Sequence, residues 1–175
     1  MPMIELTTTK GALDDDAKQR LAGELATITL QLEAWPMADF GDDDHMQAVA
    51  WTFVNEQEVF VGGRTHPKPI YRVTVTLPDG APGLLGPLAA RGREKLVEQV
   101  TQAVLDAEGT ENTMVEAHRV WVHLRAMPDG HWFGFGDTFT MADIAAYSLK
   151  SDEPGSKTAR MREAALESVG AVPTA

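Results

Sequence analysis

The chain has 175 residues, enough for one packed domain or for two small units that share a core. Its formal net charge of −11 opposes a phosphate backbone and argues against nucleic acid as a partner, and the lack of cysteine removes disulfides and thiolate metal sites. No run of 18 apolar residues exists and the N-terminus has no signal-peptide pattern, so the expectation is a soluble cytoplasmic protein with no membrane partner.

The first stretch, Met1-Pro2-Met3-Ile4-Glu5-Leu6-Thr7-Thr8-Thr9, reads as a strand with a candidate catalyst at its end. An initiator Met is removed when the next side chain is small, so Pro2 is expected to carry a free secondary amine, whereas every other proline nitrogen is an amide. An exposed α-amino group titrates near ~8. An apolar pocket or a neighbouring cation lowers that value towards neutrality, where a base can shuttle protons. The dipeptide alone is weak evidence, because proline makes up roughly 5% of residues.

A helical pattern follows over 14–33, with Leu21, Leu25, Ile28 and Leu32 on one stripe and Asp14, Asp15 and Asp16 at its positive end. Residues 35–45 form a loop in which Asp42-Asp43-Asp44 precede His45. It reads as a solvated acidic loop, since hard-cation loops place ligands at alternating positions around a turn glycine. A return strand is expected over 47–54, then a hairpin ending in Val59-Phe60-Val61-Gly62-Gly63.

The order then repeats. Pro69-Ile70-Tyr71-Arg72-Val73-Thr74-Val75-Thr76 matches the first strand at a shift of 67. A helix is expected over 87–107, with Pro87 in its first turn and Leu96, Val100, Ala103, Val104 and Ala107 on its stripe. A strand over 117–124 and the hairpin Phe133-Gly134-Phe135-Gly136 complete the copy. Two tandem β-α-β units predict an α/β (α+β) fold, a four-stranded sheet with two helices on one face. The units occupy 1–64 and 65–147. Residues 148–175 read as a peripheral C-terminal tail with a weak helix over 157–168 after Pro154-Gly155.

Aligned on their tryptophans, the return strands set Val49-Ala50-Trp51-Thr52-Phe53 over Arg119-Val120-Trp121-Val122-His123. Alternation puts Arg119, Trp121, His123 and Arg125 on the face away from the helices. Two arginines, a histidine and an aromatic suit recognition of a small carboxylate, and equally suit a solvated edge or a subunit contact.

These features resemble the tautomerase superfamily, built on the βαβ unit of 4-oxalocrotonate tautomerase. The resemblance rests on Met1-Pro2 opening a strand, on the duplicated unit, and on Arg119-Val120 followed by the run from Met127 to Gly136. The fused length, Val59 to Gly63 and Val120-Trp121-Val122-His123 are similar to the cis-3-chloroacrylic acid dehalogenase branch. The resemblance implies a homotrimer with the N-terminal proline in a pocket near a subunit boundary; no cofactor and no metal are expected. It makes Pro2 the catalytic base, Arg119 a carboxylate-binding arginine, His123 a hydrogen-bond partner of substrate, and Phe133 the aromatic wall.

Departures from the pattern bear on the chemistry. The dehalogenase's arginine pair is replaced by Thr76-Leu77-Pro78-Asp79-Gly80, its water-activating glutamate by Gly134, and the first-unit arginine of 4-oxalocrotonate tautomerase by Ala12. Arg64 and Arg72 are the compensating candidates. The expected function is therefore keto-enol tautomerisation of a small anionic 2-oxo or 2-hydroxy-enoic acid, with Pro2, Arg119 and His123 catalytic and Trp121, Phe133, Arg125, Arg64 and Arg72 binding substrate. The alternatives are a decarboxylase or hydratase-dehalogenase in the same pocket, and a non-enzymatic trimeric binding protein. His45, His66, His118, His123 and His131 form no ligand motif.

Overall fold

A computed structural model describes residues 1–170. The first unit runs through β1 (Met3–Thr9), α1 (Asp15–Glu33), α2 (Asp44–Gln47), β2 (Trp51–Gln57), β3 (Phe60–Val61) and β4 (Arg64–Thr65). The second repeats it with β5 (Tyr71–Pro78), α3 (Ala90–Glu108), α4 (Met114–Ala117), β6 (Val120–Met127), β7 (Trp132–Gly134) and β8 (Asp137–Phe139). Two more helices follow, α5 (Met141–Leu149) and α6 (Lys157–Ser168).

Each βαβ crossover makes its two strands parallel, and the two units meet antiparallel, so the sheet order is β2-β1-β5-β6. Leu6 pairs with Val73, its equivalent at the shift seen in the sequence, so the pseudo-two-fold axis passes between them. Ile4, Leu6, Tyr71, Val73, Val75 and Leu77 point at the helices and are fully buried. They meet Leu21, Leu25, Ile28 and Leu32 of α1 and Leu96, Val100, Ala103 and Val104 of α3, the expected stripes. Asp14 caps α1 by accepting from Ala17 N–H at 2.7 Å.

Three expectations shift. The return strands begin at Trp51 and Val120, because the helical turns α2 and α4 take up the residues before them; Thr113 caps α4 through Glu116 N–H. Helix α3 starts at Ala90 and not at Pro87, since residues 81–89 form successive turns, Leu85 and Gly86 both donating to Ala81 O. The register Ile4↔Thr52 and Tyr71↔Val120 makes Thr52 the equivalent of Val120. Phe53 therefore corresponds to Trp121 and Trp51 to Arg119, two residues away from the tryptophan alignment.

A second apolar cluster gathers beside the sheet, around the N-terminus. Met1, Leu30, Met46, Val49, Trp132, Phe139, Ile144, Tyr147, Met161 and Ala165 are all buried in it. The segment expected as a peripheral tail thus contributes α6, whose Met161 and Ala165, four apart, face this cluster. Helix α5 carries a capping box, Thr140 with Asp143, and is held to α2 by Tyr147 Oη donating to His45 O at 2.5 Å. Lys157 at the start of α6 bonds Thr138 O at 2.8 Å and Asp143 at 3.0 Å, fixing α6 over the β7–β8 ribbon.

Candidate active site

The start of β1 and the end of α1 converge at one buried ion pair. The Met1 α-ammonium donates to Glu33 Oε1 at 2.9 Å and Oε2 at 3.2 Å, with both groups withdrawn from solvent. Charges so buried persist only when paired and hydrogen-bonded. The backbone fixes both sides. Trp51 N–H donates to Pro2 O at 3.3 Å, and Gly83 N–H donates to Glu33 O at 2.9 Å. Gly83 is packed so closely that a Cβ would stand 2.0 Å from Leu32 O, so this approach requires glycine.

Beside the pair lies a cavity of about 350 Å³. Met1 and Met3 form its floor, Ala48, Val49 and Trp51 one wall, and Met161, Ala164, Ala165 and Ser168 of α6 another. The β7–β8 ribbon closes it with Trp132, Phe133, Gly134, Phe135 and Phe139. Pro2 is buried between two lining residues. The ribbon turns through Phe135 at φ 52° and Gly136 at φ 75°, with Gly134 paired to Asp137, the signature of a two-residue type I′ turn. A phenylalanine in the left-handed region costs roughly 1–2 kcal/mol, and here that conformation holds an aromatic ring at the cavity. A smaller cavity of about 250 Å³ is lined by Glu33 itself, with Ala34, Phe40 and residues of α5.

The sequence candidates divide into three groups. Phe133 lines the cavity, and Pro2 is buried between its lining residues Met1 and Met3 without lining it. Arg72, Trp121, His123 and Arg125 are exposed on the open face of the sheet, with Trp121 paired to Arg72, His123 to Thr74 and Arg125 to Thr76. Arg72 donates to Thr7 Oγ1 at 3.3 Å, and the Trp121 and His123 rings are 6.5 Å apart. Arg64 is exposed on the separate β3–β4 ribbon. None of these four cationic or histidine side chains on the sheet and ribbon lines the cavity.

Arg119 departs most from expectation. It precedes β6 in a turn, is 1% exposed, and does not share the open face. Its guanidinium donates to Glu108 at 2.6 and 3.2 Å, to Glu116 Oε2 at 2.7 and 2.9 Å, and to Pro69 O at 2.6 Å. All its donor directions are spent within the chain, so no fork remains for a substrate carboxylate. The Lys68 ammonium, and after it the Arg119 guanidinium, hold the Glu116 carboxyl below its ordinary range.

Two contributors carried no decisive signal in the sequence. Glu33 ends an amphipathic helix, where a surface glutamate is the ordinary reading, and only the approach of the N-terminus buries it. The wall from α6 sits in a segment whose composition is polar; its one local sign is the four-residue spacing of Met161 and Ala165. Among the described residues no three His, Asp or Glu side chains gather as a metal site, and no helix is long and apolar enough to cross a membrane.

No family model matches the chain, and no curated protein matches it by sequence. Solved structures match it by fold. A member of the cis-3-chloroacrylic acid dehalogenase family called N1 superposes with a TM-score of 0.63 at 15% identity, over 92% of this chain and 99% of that one. A macrophage migration inhibitory factor-like protein from Entamoeba histolytica gives 0.57 at 16% identity over 79% and 98%. A fused 4-OT, a symmetric trimer designated Q0, gives 0.57 at 19% identity over 80% and 96%. The chain therefore has the tautomerase-superfamily fold in its two-unit form.

Proposed function

We propose that this protein is a tautomerase in which the amine of Pro2, exposed by removal of Met1, moves a proton between the oxygen and the carbon of an enol. As a free base the amine takes the enol hydroxyl proton, and the ammonium so formed returns a proton to the neighbouring carbon, leaving the ketone. Glu33 neutralises the ammonium while it exists. The aromatic walls exclude water from the transfer. The observation that carries this reading is the position of Pro2, between two residues that floor an apolar cavity and one residue from an amine already bonded to a buried carboxylate.

The fold likeness supports a superfamily chemistry of this kind, and the aromatic residues left exposed on the open face, Trp51, Phe53 and Trp121, support assembly through that face into a trimer. Arg119 has no part in substrate binding in this proposal, because its carboxylate partners are Glu108 and Glu116. A second reading draws on the Glu33 contact. Held as an ammonium, the Pro2 amine acts as a general acid and protonates a substrate carbon, as decarboxylation or hydration requires.

The test is ketonisation of phenylenolpyruvate and of its methyl ester, followed by ultraviolet absorbance, with intact mass recorded for each preparation. Turnover by Met1-processed protein that collapses in Pro2→Ala supports the proposal. Absence of Pro2-dependent turnover on both compounds overturns it. The pH dependence separates the two readings: a base mechanism gains rate as pH rises through the amine's titration, and an acid mechanism loses it.

A further inference from the structure

Met1 is covered from both ends of the chain. Its side chain is 2% exposed and shares a buried cluster with Leu30 and Met46 of the first unit and with Trp132, Phe139 and Met161 from the later part of the chain. Its ammonium meets both oxygens of Glu33, at 2.9 and 3.2 Å, and Pro2 is buried beside it. The strand that follows lies inside the sheet, since β1 pairs with β2 from Met3↔Trp51 and with β5 from Met3↔Thr76. A chain terminus ordinarily frays, but this one is tied down on both sides.

An aminopeptidase must take the first side chain and the free amine into its own site, together with the bond to be cut. Drawing Met1 out of this fold strips β1 from two neighbours at once and leaves the Glu33 carboxylate buried without its cation, which is costly. We infer that Met1 is removable only while the chain is unfolded, so that folding closes the processing site and the order of the two events decides whether Pro2 becomes an amine. The order of the elements favours excision. Part of the cover comes from α6, which is made after every other described element. At about 5–20 residues per second the 175 residues take about 10–35 s to synthesise, and for that time the cover from α6 is missing.

A molecule that completes its fold with Met1 in place keeps an amide at Pro2 and a methionine in the cavity floor. In the function proposed above, on which this consequence rests, such a molecule stays inactive; the processing step itself is read without turnover.

The experiment takes the full chain with Met1 retained, made while the host aminopeptidase is inhibited, and adds purified methionine aminopeptidase, following intact mass. A peptide of residues 1–9 gives the rate for an open end. Excision from the folded protein is expected to be at least 100-fold slower than from the peptide, and a smaller difference overturns the inference. In cell-free synthesis, aminopeptidase present throughout is expected to remove Met1 from most chains, and the same enzyme added after folding is expected to leave it in place. Equal removal in both overturns the inference, and so does retention in both, because something other than the completed fold would then protect Met1. Should the folded protein resist excision while the processed protein shows no Pro2-dependent turnover, the closure by folding stands and the tautomerase reading falls.

Discussion

The two units end their long helices alike, on a glutamate that neutralises a buried cation, but the cations differ in kind. In the first unit Glu33 meets the chain's own amine at 2.9 Å; in the second Glu108 meets Arg119 at 2.6 Å, just below Pro69 O. Pro69 stands where Pro2 stands in the repeat, and its nitrogen is an amide with no charge to offer. An arginine from the turn before β6 fills the cationic place instead, with Glu116 as a second partner. The duplication thus keeps a carboxylate–cation pair at the helix end in both halves, and in the function proposed above only the first half has an amine that exchanges a proton.

The comparison breaks most visibly in activity. Pro2→Ala is expected to lower turnover about 100-fold or more, the scale of a lost general acid-base group, as measured by initial rates of enol ketonisation. Protein in which Met1 is retained is expected to be equally inactive, and mass spectrometry of active and inactive fractions checks that pairing.

In the second unit the expected cost is stability. Arg119→Met leaves two carboxylates facing each other without a cation and should destabilise the fold by about 3 kcal/mol in urea denaturation. Adding Glu108→Gln should recover part of that loss, which a double-mutant cycle would quantify. If Arg119→Met left stability unchanged, the structural role assigned to it here would be wrong.

A smaller effect of opposite sign is expected in the ribbon. Phe135→Asn relieves a left-handed phenylalanine and should raise stability by about 1 kcal/mol, since asparagine tolerates that conformation. The same change removes part of the cavity wall, so Pro2-dependent ketonisation of phenylenolpyruvate should fall as thermal stability rises. A gain in both would separate the turn from the site.

The smallest effects are in pH. Burial first, then Lys150, lowers the His45 imidazole from its ordinary value of 6.5, so the folded protein disfavours the charged form. A group depressed in this way contributes stability above its unfolded value and loses it as pH falls below about 6.5 towards the folded one. His45 bonds Ser148 O and stacks near Tyr147, so the loss should appear first in α5 and α6, read by hydrogen exchange. Glu116, held low by Lys68 and Arg119, contributes above its ordinary 4.5 and loses that contribution at more acid pH, in the second unit. Acidification should therefore loosen the cavity wall before it loosens the Arg119 cluster.

Much of the architecture was legible locally because its signals are local. The apolar stripes of α1 and α3 have the period of a helix, the β-branched runs of β1 and β5 have the period of a strand, and the repeat between them fixes the sheet order once each crossover is right-handed. Pro2 stands out in the sequence for the same reason: the chemistry proposed for it depends on position in the chain and not on neighbours. The tryptophan alignment failed because identical residues in two copies need not share a register, and register is set by pairing with β1 and β5.

What the sequence by itself determined is the duplicated unit, the stripes that bury its core and the one proline whose nitrogen could become an amine. Tertiary structure alone decided the surroundings of that amine. It brought Glu33 to the N-terminus, folded α6 into a wall, and enclosed Arg119 between Glu108 and Glu116. The physical reason is that burial and charge pairing are properties of a place, created when segments far apart in the chain exclude water together, and no single segment carries them.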